Sequence, residues 1–512
     1  MLPSVVPSVK ELLNESARKF GEATFIKYVK NGKVEEKSFI QIRDDSECVC
    51  RMIRHTVSKR THIAVIGKTS YEYLVFCSGV LSSGNVFVPF SPEISAVEAS
   101  ELFKRADIEM LFYEEEFADK ANELFEVCSQ LKNICCFSRA EEIYETYSSG
   151  SEFAELSDVE EDKEQCAIII YTSGTTGVKK GVMLSMNSLV GNVMYEEYCT
   201  DIFNEGVVAL SVLPMYHTFC FSGDFIKNLK DGLQVCLNGE FKDIAENLKR
   251  FQPKVIRIVP MIAQSLLGKI KILLRRNPGL TPKEAAESVY GKNIRWLISG
   301  GAYLNPELVA EYDKLGIFLR QGYGMTEVGC RISVPDEGVA YESVGRVIDI
   351  CQVRTRDGEI QVKSPTVMLG YYKMPEETKE MFTEDGWVKT GDIGYVTEDN
   401  QLFITGRVKN LIILSSGENV SPEAIERKFS AFDLVEEVLV YGEGNKIVAE
   451  FYPNAEFIDA KGIDDIEAEL EKIVDSLNET AKSAHLISEI RVRDIPFEKT
   501  GPGKIKRYET KI

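Results

Sequence analysis

Short apolar runs rich in β-branched residues recur along this chain at helix-length intervals. HIAVIG (62–67), VFVPF (86–90), CAIIIY (166–171), ALSVLP (209–214) and KVIRIVP (254–260) read as strands, with the helix-length segment YEYLVFCSGVLSSG between the first two. Strands separated in this way pair mainly in parallel, because a helical crossover is what returns the chain to the same end of a sheet. The pattern predicts an α/β fold with helix-covered sheets. Past residue 405 the texture changes. In NVSPEAIERKF, Ser421 is placed to cap a helix, Pro422 occupies its first turn, and Val420 and Ile425 have the spacing of a hydrophobic staple. Ile466, Leu470, Ile473, Val474 and Leu477 recur at helical spacing, and EEVLVYG and KIVAEFYP read as strands, so residues 410–512 are expected to form a small α+β unit. The acidic stretch SDVEEDKE (157–164) reads as a solvated connector.

A chain of 512 residues has room for about three compact units at ~150 residues each. The formal charge of −20 lacks the basic footprint of a nucleic-acid binder or a polybasic membrane anchor. The N-terminus shows no basic cluster followed by an apolar block, so no secretory signal is expected. The most apolar stretch, 74–90, is broken by Ser78, Gly79, Ser82, Ser83, Gly84, Asn85 and Pro89, and so falls short of a membrane span. Twelve scattered cysteines, four histidines and no C-x-x-C give no zinc spacing. They read as reduced thiols filling the core of a cytoplasmic protein.

YTSGTTGVKKG (171–181) carries glycines that let backbone N–H groups approach a phosphate, together with four hydroxyls and two lysines that supply further donors and positive charge. It is not a Walker A loop, since no G-K-[ST] closes it. QGYGMTE (321–327) is a near miss for the dinucleotide fingerprint, with Glu327 where a third glycine should stand, so hydride chemistry is not supported. Its Tyr323, between Gly322 and Gly324, could lie against a base, and Thr326 and Glu327 could meet a phosphate and a hard cation. TGDIG (390–394) sets Asp392 in a glycine-bounded turn suited to a ribose. TGRVKN (405–410) begins the change of texture, and EKTGPGKIKR (498–507) places Lys504 on a glycine-rich segment. Each string alone also fits a turn or a solvated tail.

Together and in this order, the strings resemble the adenylate-forming superfamily of acyl-CoA synthetases, peptide-synthetase adenylation domains and beetle luciferases. LLNESARKFGEATFI, the region from IAVIG to SPEIS, LPMYH (213–217), SGGA (299–302), SVGR (343–346) and GEIQVKSPTVMLGYY (358–372) extend the resemblance over nearly the whole chain, closest to its fatty-acid–CoA ligase-like branch. The resemblance implies a large N-terminal domain of packed α/β subdomains, 1–407, and a small mobile C-terminal domain, 408–512, hinged near Lys409. It implies that Thr172, Ser173, Gly174, Thr175, Thr176, Gly177 and Lys180 form the phosphate loop. Gly300, Gly301, Ala302 and Tyr323 would frame the adenine, with Gly322 and Gly324 beside the ring. Thr326 would meet the α-phosphate, Glu327 would hold Mg²⁺, Asp392 would bind the ribose with Arg407 assisting, and Lys504 would be the adenylating lysine. His217 matches a position lining the acid pocket, and Gly417 lies in the loop expected near the thiol's pantetheine arm. Two departures stand out. Lys179 replaces the usual proline, which would make the loop more mobile or more basic, and Met186 replaces a histidine.

The implied activity is ATP-dependent conversion of a carboxylic acid to acyl-AMP with release of pyrophosphate, then transfer to the thiol of coenzyme A. The apolar run Thr218-Phe-Cys-Phe221 lacks the aspartate with which amino-acid-activating relatives pair an ammonium, which favours a fatty or aryl acid. Arg331 is read as an ordinary ion pair or surface arginine, with a second substrate carboxylate as the functional alternative. A separate carrier protein's phosphopantetheine is the alternative acceptor, and a non-catalytic nucleotide- or acyl-binding protein is the remote one. No motif speaks for luciferase-type oxidation.

Overall fold

The computed structural model describes residues 6–157, 162–172, 178–194, 203–414, 419–444, 446–479, 481, 486–499 and 505–507. Two seven-stranded sheets dominate. The first runs Phe318–Gln321, Trp296–Ser299, Val255–Ile258, Val208–Ser211, Gln234–Leu237, Thr24–Lys30 and Lys33–Ser38 in spatial order. All its pairings are parallel except the last, a hairpin. In the second, parallel strands Asn133–Cys136, Ile108–Tyr113, His62–Ile66, Val86–Phe90 and Cys166–Thr172 continue into antiparallel Lys180–Ser185 and Gly370–Tyr371. The five β-branched runs are thus all strands, and Tyr71–Ser82 is the helix predicted between the first two. That helix is buried on nearly every face, which explains a sequence with no amphipathic stripe.

Several of the motif strings follow, in chain order, the carboxyl ends of parallel strands, where open α/β sheets commonly bind ligands. SGGA follows Trp296–Ser299, QGYG follows Phe318–Gln321, LPMYH follows Val208–Ser211, and the hydroxyl-rich loop follows Cys166–Thr172. Asp392 and Arg407 depart from the parallel expectation. They occupy a four-stranded antiparallel sheet, Gln352–Arg356, Glu359–Lys363, Val388–Val396 and Leu402–Arg407. Asp392 is therefore not in a turn but inside a strand, next to a register shift at Ile393/Gly394.

The C-terminal unit has a core of its own, built on Ile412, Val420, Ile425, Phe429, Val440 and Phe451 with others as far as Ile487. Its sheet, Val435–Glu443, Lys446–Pro453 and Ile487–Val492, is antiparallel then parallel. Ser421 accepts from the Ala424 amide at 3.3 Å to cap helix Pro422–Phe429, and the apolar 466–477 series lies on helix Ile466–Glu479. The eleven described cysteines are free thiols, ten of them buried. Among the described residues no helix is long and apolar enough to cross a membrane.

Candidate active site

The described motif residues fall into three clusters. In the first, the Tyr371 hydroxyl donates to Glu327 Oε1 at 2.8 Å, and Lys180 Nζ lies 4.9 Å from the centre of the Tyr371 ring. Burial and the Glu327 charge hold the Tyr371 phenol far above its ordinary value, so it remains a donor. Thr326 and Thr218 hydroxyls meet at 3.2 Å, which ties QGYGMTE to the segment after LPMYH. Among the described contacts the Glu327 carboxylate accepts at Oε1, from the Tyr371 hydroxyl. Among the described residues no group of three His, Cys, Asp or Glu is placed to hold a metal. Mg²⁺ is commonly held by one or two carboxylates together with substrate phosphates, and the single carboxylate of Glu327 suits that mode of binding.

The second cluster joins Tyr323, Asp392 and Arg407. The Tyr323 hydroxyl donates to Asp392 Oδ2, and Arg407 Nε meets Asp392 Oδ1 at 2.7 Å. Asp392 and Arg407 are register partners across the antiparallel hairpin, so backbone pairing sets the ion pair. Asp392 is buried, whereas the Arg407 side chain is about half exposed and reachable by a ligand. The Thr390 hydroxyl accepts from the Asp392 amide at 3.1 Å and donates to Ile360 O at 2.8 Å, which fixes the carboxylate's strand.

The third cluster shapes the floor. A Cβ on Gly324 would fall 1.6 Å from Cys330 O, so only glycine allows the chain to fold back so closely. Cys330 itself has φ 122°, a left-handed value that a non-glycine residue adopts only when its surroundings force it. Asn192 supplies that force. Its amide donates to Val328 O at 3.3 Å and Arg331 O at 3.1 Å, and its Oδ1 accepts from the Arg331 amide at 3.0 Å. Arg331 is 8% exposed and its guanidinium donates to Asn192 O at 3.3 Å. Arg331 is therefore not a surface arginine, and among the described contacts its guanidinium serves the turn through Asn192. Burial pushes the Cys330 thiol up to about 11, opposed by the nearby Arg331 and Arg257 charges.

Gly300, Gly301 and Ala302 lie in one loop, where Gln321 Nε2 donates to Ala302 O at 2.9 Å and Gly322 N donates to Ser299 O at 2.9 Å. These bonds bring SGGA beside QGYG. His217 is an exposed residue that precedes the short helix at Thr218, with its ring 4.6 Å from the Tyr216 ring, while desolvation holds its pKa below the ordinary value. Lys409 lies on the turn Val408–Asn410 that leads into the C-terminal unit. Ser173, Gly174, Thr175, Thr176, Gly177, Gly417 and Lys504 lie outside the described residues. Lys179 pairs with Glu98 at 2.6 Å, so the extra charge expected of the loop is offset by a neighbouring carboxylate. Met186 is buried at the start of helix Met186–Gly191, which Ser185 caps.

Motif reading missed Tyr371, Asn192 and the strained Cys330. Tyr371 lies 44 residues from Glu327 and Asn192 lies 139 from Arg331, so no local pattern connects them.

Residues 13–372 match the family described as AMP-binding enzyme, and residues 409–511 match the AMP-binding enzyme C-terminal domain. The chain is 30% identical over 327 residues to the peroxisomal long chain acyl-CoA synthetase 6 of Arabidopsis thaliana, covering 55% of this chain and 46% of that protein. It therefore spans about half the length of that relative. It is 25% identical over 495 residues to the 4-coumarate–CoA ligase-like 9 of Oryza sativa subsp. japonica, covering 92% and 86%. The fold is shared with ATP-bound MatB from Rhodopseudomonas palustris, at a TM-score of 0.81, 23% identity and coverage of 98% and 97%. With one family pattern over residues 13–372 and its C-terminal companion over 409–511, this chain belongs to the AMP-binding enzyme family.

Proposed function

We propose that this protein is an acid–thiol ligase that activates a carboxylic acid without an α-ammonium as its acyl-adenylate and transfers it to coenzyme A. A carboxylate resists thiol attack because it is anionic and oxide leaves poorly. In the first step a carboxylate oxygen attacks the α-phosphorus of ATP, the bond to the β-phosphate oxygen breaks, and pyrophosphate leaves. In the second the thiol loses its proton and attacks the acyl carbon, and AMP departs with the bonding pair.

The observation that carries this reading is the bridging role of Tyr371, which brings Glu327 and the Lys180 ammonium to one phenol. Such fixed charges and donors stabilise developing phosphate charge without reorganising. In this reading Glu327 would hold Mg²⁺, which would neutralise phosphate charge. Thr172 through Gly177 and Lys180 would cradle the phosphates, with Thr326 on the α-phosphate. Asp392 would bind the ribose hydroxyls with Arg407 alongside, and Gly300, Gly301, Ala302 and Tyr323 would frame the base. His217 would line the acid pocket. The large domain would comprise residues 1–407 and the small one 408–512, pivoting near Lys409, with Lys504 serving adenylation and Gly417 facing the thiol. The separate core of the C-terminal unit supports a rotating domain.

Lys504→Ala tests the reading. Acid-dependent ATP–pyrophosphate exchange should fall roughly 10²–10³-fold, the usual cost of a positioned charge. Thioester formation from supplied acyl-adenylate should fall much less. Equal loss in both steps would refute the division of labour, and adenylate consumed by a phosphopantetheinyl carrier protein but not by free coenzyme A would move the acceptor to the carrier.

A further inference from the structure

Beyond Thr218 and Phe219 the chain forms one continuous helical segment through Cys220 to Lys227, wider than an α-helix from Phe221 onward. Phe219 faces SGGA, since a Cβ on Gly300 would lie 3.0 Å from its ring, and Thr218 meets Thr326. One turn deeper comes Gly223, and there the Arg257 side chain lies flat against the helix. A Cβ on Gly223 would fall 2.6 Å from Arg257 Nε and 2.9 Å from its Cδ, so any larger residue would displace the guanidinium. Arg257 NH1 pairs with Asp224 Oδ1 at 2.8 Å, and the two side chains are 3% and 1% exposed. The strained Cys330 stands close enough to feel the Arg257 charge.

A buried ion pair is a weak source of stability, because desolvation cancels much of the attraction. Its presence about one turn along the helix from Phe219 needs another reason. We propose that Arg257, held by Asp224, is the floor of the acid pocket and selects a compact acid, short-chain or aryl, whose far end carries a neutral hydrogen-bond acceptor such as a carbonyl or hydroxyl. This rests on the acid-ligase reading above and narrows its acid. The guanidinium has five N–H donors, and the described hydrogen bonds use only NH1. An alkyl terminus pressed against it would leave buried donors unsatisfied, whereas a carbonyl or hydroxyl oxygen would accept from them. A second carboxylate is disfavoured, because Asp224 already balances the arginine and a further buried anion would be uncompensated. A long alkyl chain is stopped by the pair itself.

The test compares wild type, Arg257→Lys and the double variant Arg257→Leu/Asp224→Leu, which removes both charges together. The acids are 4-oxopentanoate, 4-hydroxybenzoate, glutarate, hexanoate and decanoate, read by acid-dependent pyrophosphate release and by calorimetric binding without nucleotide. Wild type should prefer the oxo and hydroxy acids to hexanoate and glutarate by at least about tenfold in kcat/KM, the lower end of the cost of leaving one buried donor unsatisfied. The double variant should reverse the order in favour of hexanoate with KM for ATP unchanged, and Arg257→Lys should keep the wild-type order. Equal use of decanoate by wild type, or the same order in the double variant, would overturn the proposal. Should the double variant fail to fold, the wild-type and Arg257→Lys rankings still decide it. Calorimetric selectivity without pyrophosphate release from any acid would support the floor and sink the ligase reading. Release without selectivity would do the reverse.

Discussion

Replacing Asp392 by alanine separates a nucleotide-binding role from a structural one. The carboxylate is buried, with Arg407 Nε at 2.7 Å and the Tyr323 hydroxyl on its other oxygen. Each hydrogen bond from a ribose hydroxyl to an ionised carboxylate contributes about 1.5–3 kcal/mol. Loss of two therefore removes at least ~3 kcal/mol, or roughly 10² in kcat/KM for ATP. The variant also strips an acceptor from Tyr323 and a counter-charge from Arg407. The arginine is half exposed and rehydrates, so the collateral cost falls mainly on the tyrosine. The assay is ATP–pyrophosphate exchange with ATP and with dideoxy-ATP lacking both ribose hydroxyls. Wild type should discriminate between the two by roughly 10². Asp392→Ala should lower ATP to the level of dideoxy-ATP and leave the latter nearly unchanged. If both nucleotides fall by the same factor, the carboxylate acts by holding Tyr323 and Arg407, and the ribose assignment is wrong.

Tyr371→Phe removes the donor to Glu327 and should slow adenylation by roughly tenfold, about the worth of one charge-assisted hydrogen bond, while transfer from supplied acyl-adenylate is unaffected; single-turnover measurement of both steps checks this. Desolvation lowers the His217 pKa, so the folded protein favours the neutral ring and the unfolded chain binds the proton more readily. The stability this contributes is full above the ordinary value of about 6.5 and is lost as pH falls through the lowered native value. The His217 ring signal should titrate below that ordinary value in a proton NMR series, and a value at or above it would overturn the assignment.

Much of the fold was legible because strand and helix periodicities are local. The five β-branched runs became strands, Ser421 and Pro422 opened their helix, and the texture change near residue 405 marks the approach to a separate core. Asp392 was misplaced for the same reason. A glycine on either side reads as a turn, yet pairing with Arg407 across the hairpin extends it into a strand. Arg331 had no local sign of burial, since its partner Asn192 lies on a different segment of the chain.

The glycine, hydroxyl and charged strings, through their ordered resemblance to a known family, were enough to place this chain among AMP-binding enzymes, because such strings are local in the sequence. Which side chains meet was decided only by the tertiary structure. Tyr371 reaches Glu327 across 44 residues, Tyr323 reaches Asp392 across 69, and Arg257 reaches Asp224 across 33. Such contacts depend on how sheets and helices pack, and no local periodicity encodes them.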